Sequence, residues 1–202
     1  AYDDVNDYYQ YDDGFFADPT ISLDRATSGS DSHQYGASIY AHYLEQVYGR
    51  DSIRRSWEQL GKSTARRYDV QEFNASMPTG GYAGVMPGFA VWNYFTGTRH
   101  RAGFYEEGAQ YNTMKATTVA LSSSGATGSG RMDHLGAEYL RVATSSLSPG
   151  TGLRAAFTLG TGGVWDLIVL LVKSDRIEML RPSGAQVEIG NRHPRHLDQV
   201  AW

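Results

Sequence analysis

The chain has no cysteine, no run of basic residues and no long apolar segment. It contains 202 residues, with 18 Lys and Arg, 22 Asp and Glu, and a net charge of −4. The lack of cysteine excludes disulfide bonds, thiolate zinc sites and a cysteine nucleophile within this sequence. The acidic balance argues against nucleic acid as a partner. The longest apolar run, residues 164–172, is interrupted by Asp166 and is too short to cross a bilayer.

Three catalytic motifs are also missing from the sequence. It contains no HExxH zinc-binding motif, no G-x-S-x-G of serine hydrolases and no phosphate-binding P-loop. The composition, 41% hydrophobic and 20% charged, is that of a globular protein. A chain of this length can form one large domain or two small ones.

The first half of the chain is predicted to contain about four helices. The strongest pattern covers residues 34–48 and ends at Gly49. Asp51 is a suitable first residue for a second helix, which Gly61 closes. Two further helices are predicted at residues 69–77 and from Pro87 to Gly97. The predicted buried faces of the first two helices are Ala37, Tyr40, Ala41, Leu44, Val47 and Tyr48, and then Ile53, Trp57 and Leu60.

Residues 1–30 are acidic and aromatic and show no clear helical or strand period. We interpret them as an ordered loop whose aromatic side chains pack on the rest of the protein. Their aspartates form either a solvated acidic face or a calcium site, because calcium prefers clustered carboxylate oxygens. The candidate calcium ligands are Asp3, Asp4, Asn6, Asp7, Asp12 and Asp13.

The second half of the chain is predicted to be β-rich. A Gly- and Ser-rich spacer at residues 121–130 precedes short strand-like runs at residues 138–143, 153–159, 164–172, 176–180, 187–189 and 197–202. This pattern predicts an antiparallel β-sandwich or barrel and an α+β fold overall. The expected domains are a helical lobe at 1–115, a linker at 116–130 and a β-sandwich-like domain at 131–202. We expect the natural polypeptide to continue past Trp202.

Several polar groups are candidate sites, each with a simpler interpretation as solvated surface. His193 and His196 flank Pro194 in a turn and are the closest histidine pair. His42 and Glu45 have the spacing of metal ligands on a helix. The basic cluster at residues 99–101 is suited to a carboxylate or phosphate.

His33 and Tyr35 begin the strongest helix, where the helix dipole favours anions. Either side chain at this position can stabilise an oxyanion during peptide hydrolysis. In the alternative interpretation, Tyr35 only packs against its neighbours and His33 is exposed.

Four consecutive motifs carry a resemblance to a known family. They are Y-G-x-x-I-Y-x-x-Y-L-x-x-x-Y-G (Tyr35–Gly49), I-R-x-x-W-E (Ile53–Glu58), F-A-V-W-N-Y-F-T-G (Phe89–Gly97) and F-Y-E-E-G (Phe104–Gly108). In this order they resemble the downstream part of a family of secreted bacterial zinc metalloproteases, gluzincin-like and of the myxobacterial type. The resemblance covers residues 1–115 and, more loosely, the β-rich tail.

The resemblance implies an extracellular parent peptidase that acts on peptides or proteins. Its HExxH helix and third-ligand glutamate would lie upstream of Ala1, so the chain would be a fragment without zinc ligands. The positions that match the family's oxyanion-stabilising residue are Tyr35 and, as second choice, His33. Whether this chain is itself part of an enzyme stays open, because a non-catalytic structural or binding module also fits. A third alternative, a carbohydrate-binding sandwich, would use Trp165 or Trp202.

Overall fold

The computed structural model describes residues 7–26, 32–62, 70–122, 125–143, 152–158, 160, 163–173, 176–182, 186–189 and 197–201. The described residues form a mixed α+β fold, with helices in the N-terminal part and short strands in the C-terminal part, as predicted.

The chain divides into two compact units. The first contains residues 1–115 and 133–136, and the second contains residues 116–132 and 137–202. None of the helices in the described ranges combines the length and apolarity that a membrane crossing requires.

The described part of the first unit contains six α-helices. These are α1 (Asp13–Ala17), α2 (His33–Gly36), α3 (Ile39–Tyr48), α4 (Asp51–Lys62), α5 (Val70–Ser76) and α6 (Tyr82–Tyr94). Short 3₁₀ turns lie at Asp7–Tyr11, Pro78–Gly80 and Gly97–Arg99. The interpretation of residues 1–30 as a loop is therefore wrong for α1. Its aromatic side chains do pack, since Phe15 and Phe16 are both buried.

Aromatic side chains from three helices form much of the core of this unit. Phe89 of α6 lies with its ring centroid 4.9 Å from that of Tyr40, 5.5 Å from that of Tyr43 and 6.0 Å from that of Phe15. Trp92, one turn further along α6, contacts Tyr43 edge to face at 5.4 Å. Such pairs stabilise a core beyond the area they bury. The α6 helix therefore joins α1 and α3 around one cluster.

The strongest predicted helix is interrupted, and its buried face differs from the prediction. Residues 37 and 38 separate α2 from α3, and α3 buries Ile39, Tyr40, Tyr43 and Leu44, whereas Ala41 and Val47 are exposed. Residues 37 and 38 keep helical dihedral angles. Tyr40 and Leu44 are therefore buried as predicted, and Ile39 and Tyr43 are buried in addition.

The predicted apolar stripe of α4 is wrong at its central residue. Trp57 is 68% exposed, and the buried positions are the small residues Ser52 and Ser56. The Ser52 hydroxyl donates to the Leu44 carbonyl of α3 at 3.1 Å. Small side chains allow two helices to approach closely, and here serine also satisfies a carbonyl near the end of α3. Arg54 pairs with Glu58, one turn further along α4, at 2.6 Å.

The α6 helix begins five residues earlier than predicted. Its first backbone N–H, that of Tyr82, donates to Oδ1 of Asn74 at 2.8 Å. A side chain from α5 thus satisfies one of the free N–H groups at the start of α6. Pro87 lies inside the helix rather than at its first turn.

The second unit contains seven described strands. They are β1 (Thr117–Ala120), β2 (Leu140–Ala143), β3 (Leu153–Ala156), β4 (Leu167–Val172), β5 (Ile177–Leu180), β6 (Gln186–Ile189) and β7 (Leu197–Ala201). Five of them lie within the predicted runs, and β6 begins one residue before its predicted run. The strand β1 lies within the expected linker.

The strands form a five-stranded sheet in the order β1-β2-β7-β4-β5 and a separate β3–β6 pair. The prediction of antiparallel pairing is wrong for β1 and β2, which are parallel with Thr117 opposite Leu140. The β4 strand is buried along its whole length, and β5 and β7 pair with its two edges. Val169 and Leu171 of β4 pack against β3. With only two strands opposite the larger sheet, the described residues do not form a clear sandwich.

Candidate functional site

Two glycines hold α2 close to α1. A Cβ atom on Gly36 would lie 2.8 Å from Cβ of Phe15 and 2.9 Å from the carbonyl oxygen of Tyr11. A Cβ atom on Gly14 would lie 2.9 Å from the backbone nitrogen of His33. Both approaches are closer than a side chain allows, so glycine is required at each position. These contacts fix the position of the turn that carries His33 and Tyr35.

His33 and Tyr35, the two residues predicted for the site, occupy different environments. His33 is fully buried, and its Nε2 atom lies 2.9 Å from the carbonyl oxygen of Ser22. Tyr35 is 58% exposed, and its ring centroid lies 5.6 Å from that of Tyr11. The expectation that His33 is exposed is therefore wrong, whereas Tyr35 does pack against a neighbouring ring. Tyr35 is the residue of the two that an incoming molecule can reach.

A polar cluster of Ser22, Asp24 and His134 lies in the same unit. The Ser22 hydroxyl donates to Asp24, and Nε2 of His134 lies 3.2 Å from Oγ of Ser22 and 3.0 Å from Oδ1 of Asp24. In a catalytic triad the aspartate bonds the imidazole nitrogen that does not face the serine. Here one nitrogen faces both partners, so the cluster is not a triad. No local sequence pattern indicates this cluster, because Asp24 and His134 are 110 residues apart.

Opposing effects act on the ionisable groups of this cluster. Burial acts to raise the pKa of Asp24, but the hydrogen bonds from Ser22 and His134 outweigh it, and the pKa is lowered. Burial, with the nearby charge of Asp24, raises the pKa of Tyr82 to about 12. Asp24 is therefore a carboxylate at neutral pH, held between Ser22 and His134.

Asp12, one of the candidate calcium ligands, is buried and bound by protein donors. Its Oδ1 accepts from Nδ2 of Asn112 at 2.6 Å, and its Oδ2 accepts from the Asn112 backbone N–H at 3.2 Å. The same Nδ2 group also donates to Asp13. Asp3, Asp4 and Asn6 lie outside the described residues, as does the side chain of Asp7. The contacts of Asp12 thus join α1 to the segment at residue 112, and the calcium hypothesis stays a prediction.

Replacing Asp12 with asparagine is expected to remove a pH-dependent part of the stability. Burial raises the pKa of Asp12 above its ordinary value of 3.8, so folding favours the protonated form. The Asp12 carboxyl group contributes fully to the free energy of unfolding below pH 3.8, and this contribution is lost as the pH rises through the raised pKa. We therefore expect the difference in the free energy of unfolding, wild type minus Asp12→Asn, to fall over this pH interval. Above the interval the difference should stay constant.

Urea denaturation of both proteins between about pH 3.5 and 7 measures this difference. Asp13→Asn is the matched control, because Asp13 also accepts from Asn112 but is exposed. A difference between wild type and Asp12→Asn that is the same at every pH would contradict the prediction.

The other candidate sites are not assembled among the described residues. Glu45, proposed with His42 as a metal ligand, forms an ion pair with Arg50 at 2.7 Å. Arg99 donates to the carbonyl oxygens of Tyr94 and Met114, which gives it a structural role in place of the expected anion contact. Within the described ranges, no three His, Asp or Glu side chains converge in a way that could hold a metal ion. Trp165 is half-buried, and His193, His196 and Trp202 lie outside the described residues.

No protein-family model, curated protein or solved structure matches the chain. The functional argument therefore depends on the residues and their geometry.

Proposed function

We propose that the chain is the accessory lobe of a secreted zinc-metallopeptidase-like protein, in which it forms a wall of the substrate cleft. The observation that carries this proposal is the exposed side chain of Tyr35, on a turn that Gly36 and Gly14 hold against α1. No residue in the described ranges hydrogen-bonds to its hydroxyl group. A donor that is already positioned and unengaged is what stabilisation of an oxyanion requires.

In this proposal Tyr35 donates its O–H to the oxygen of the peptide carbonyl as that oxygen becomes negative. The pairing of its ring with that of Tyr11 limits the movement of the phenol. His33 has a positioning role, since its Nε2 atom bonds the Ser22 carbonyl and its ring lies 5.5 Å from that of Phe15. No three described side chains could hold a zinc ion, and the sequence has no HExxH motif. In this proposal the zinc ligands therefore come from the segment that the resemblance places upstream of Ala1. No step on this chain is assigned to zinc.

We infer that the β-rich unit is a sandwich-like accessory domain of the same protein. The support is the packing of Val169 and Leu171 from the larger sheet against Leu153 and Ala155 from the β3–β6 pair. Peptides or proteins would be the substrates, and the protein would act outside the cell.

A second candidate function is that of a non-catalytic extracellular structural or binding module. It is favoured by the lack of a three-ligand metal group among the described residues. The exposed Trp57 on α4 also suits a contact with another protein, because large exposed aromatic residues are frequent at interfaces.

Three measurements on the natural full-length protein distinguish these two functions. We expect N-terminal sequencing to find an HExxH segment before Ala1, elemental analysis to find stoichiometric zinc, and a chelator to abolish peptidase activity. A natural N-terminus at Ala1, together with no bound zinc, would favour the non-catalytic module and exclude the peptidase.

A further inference from the structure

Asn74 is the only asparagine in the sequence that begins the pattern N-x-S/T. Ala75 and Ser76 follow it, whereas none of the other asparagines has a serine or threonine two residues later. This pattern is the acceptor of N-linked glycans in exported proteins. Glu72 extends the match, because the bacterial transferases of this class also bind an acidic side chain two positions before the asparagine. So short a pattern also occurs by chance, so its structural setting matters.

The amide group of Asn74 is exposed, and its nitrogen is the atom left accessible. Asn74 lies in the last turn of α5, and its Oδ1 accepts from the Tyr82 backbone N–H at 2.8 Å. Among the described residues, none accepts a hydrogen bond from Nδ2 of Asn74. A Cβ atom on Gly81 would lie 2.9 Å from Nδ2, so glycine at this position leaves space beside the nitrogen. The atom to which a glycan is attached is therefore open to solvent.

A glycan on Nδ2 is compatible with the cap that Asn74 provides for α6. An N-glycosidic bond replaces one hydrogen of Nδ2 and leaves Oδ1 as a carbonyl oxygen, which can still accept from Tyr82. The α5 helix has only seven residues, and helices of this length open readily at their ends. Opening of the last turn releases the Ser76 hydroxyl, which donates to the Phe73 carbonyl at 2.7 Å. A transferase can therefore bind the segment in an open conformation, and the cap can form again afterwards.

We propose that Asn74 is a site of N-linked glycosylation. The donor is an oligosaccharide joined through a diphosphate to a lipid carrier. The bond between Nδ2 and C1 of the first sugar forms, and the bond between C1 and the diphosphate oxygen breaks. The proton lost from Nδ2 ends on the released lipid diphosphate, so the transfer needs no oxidant or reductant. The proposal rests on the extracellular location, which the peptidase lobe and the non-catalytic module share.

Mass spectrometry of the exported protein from its natural source tests the proposal. We expect the peptide that contains Asn74 to carry a glycan. The internal control is Asn112, which is also exposed but lacks the pattern and should be unmodified. An Asn74 peptide without any glycan would overturn the proposal, as would equal modification of Asn112. The zinc and HExxH measurements give their results independently, so failure of the peptidase function and failure of the glycosylation site can be distinguished.

Variants of the 202-residue chain separate the acceptor from the fold. The chain is exported to the periplasm of a bacterium that carries an N-oligosaccharyltransferase, and intact mass is measured. The wild type should gain the mass of one glycan, and Asn74→Gln and Ser76→Ala should each lose it. Ser76→Ala keeps the Asn74 bond to Tyr82, so it still tests the site if Asn74→Gln does not fold. Ser76→Thr should keep the glycan, and Glu72→Gln should reduce its occupancy. A wild-type chain without the added mass, or a glycan that survives in Ser76→Ala, would overturn the assignment.

Discussion

Gly36→Ala should lower the free energy of unfolding by about 3 kcal/mol. The added methyl carbon would lie 2.8 Å from Cβ of Phe15, 2.9 Å from the Tyr11 carbonyl oxygen and 3.0 Å from Cα of Asp12. Two of these atoms are backbone, and the third is the first carbon of a buried side chain, so none can turn away as a flexible side chain would. Relief requires α2 to move from α1, which would loosen the burial of His33 and the pairing of Tyr35 with Tyr11.

Gly61→Ala is the matched control for this substitution. Gly61 lies in α4, and a Cβ atom there meets nothing within 4 Å. Alanine should therefore stabilise the helix by about 0.5–1 kcal/mol. Chemical denaturation measures both variants. Equal small effects at the two positions would show that the close approach of α1 and α2 does not constrain the fold.

Under the proposed function, Tyr35→Phe should lower kcat of the full-length protein with a peptide substrate by about 100-fold. The substitution keeps the ring and its contact with Tyr11 and removes only the hydroxyl proposed as the donor to the developing oxyanion. An interaction that exists only in the transition state affects kcat while KM stays nearly constant. Stability should change by less than about 0.5 kcal/mol, because Tyr35 is exposed and its hydroxyl has no partner among the described residues.

Steady-state kinetics with a peptide substrate, together with thermal denaturation, measures these effects. Tyr11→Phe is the control, since it removes a neighbouring exposed hydroxyl without changing the rings. Unchanged turnover in Tyr35→Phe would remove Tyr35 from the reaction. A larger loss in Tyr11→Phe than in Tyr35→Phe would assign the donor to Tyr11 instead.

The elements that could be predicted are those whose signals are local. Gly49 and Asp51 mark the end of α3 and the start of α4, and the apolar run of β4 marks a buried strand. The start of α6 could not be predicted, because Asn74 satisfies its first N–H from eight residues away. The strand β1 was missed because Thr117–Ala120 is mostly exposed and depends on parallel pairing with β2.

The candidate site was predictable only as a position in the chain. The sequence places His33 and Tyr35 at the start of a helix, but it does not tell which of the two is buried. Packing determines which of the two is buried. The close approach of α1 and α2 at Gly14 places the His33 backbone against α1. The Ser22–Asp24–His134 cluster depends on a contact across more than a hundred residues, which no local pattern encodes.

The order of the strands also determines when the larger sheet can be completed during synthesis. The β7 strand follows β1, β2, β4 and β5 in the sequence, yet it lies between β2 and β4 and pairs with both. Until residues 197–201 have left the ribosome, the β1–β2 and β4–β5 pairs have no strand to join them. One edge of β2 and one edge of the apolar β4 strand then remain open, and open edges can pair with other chains. The nascent sheet is therefore exposed to aggregation until β7 is made.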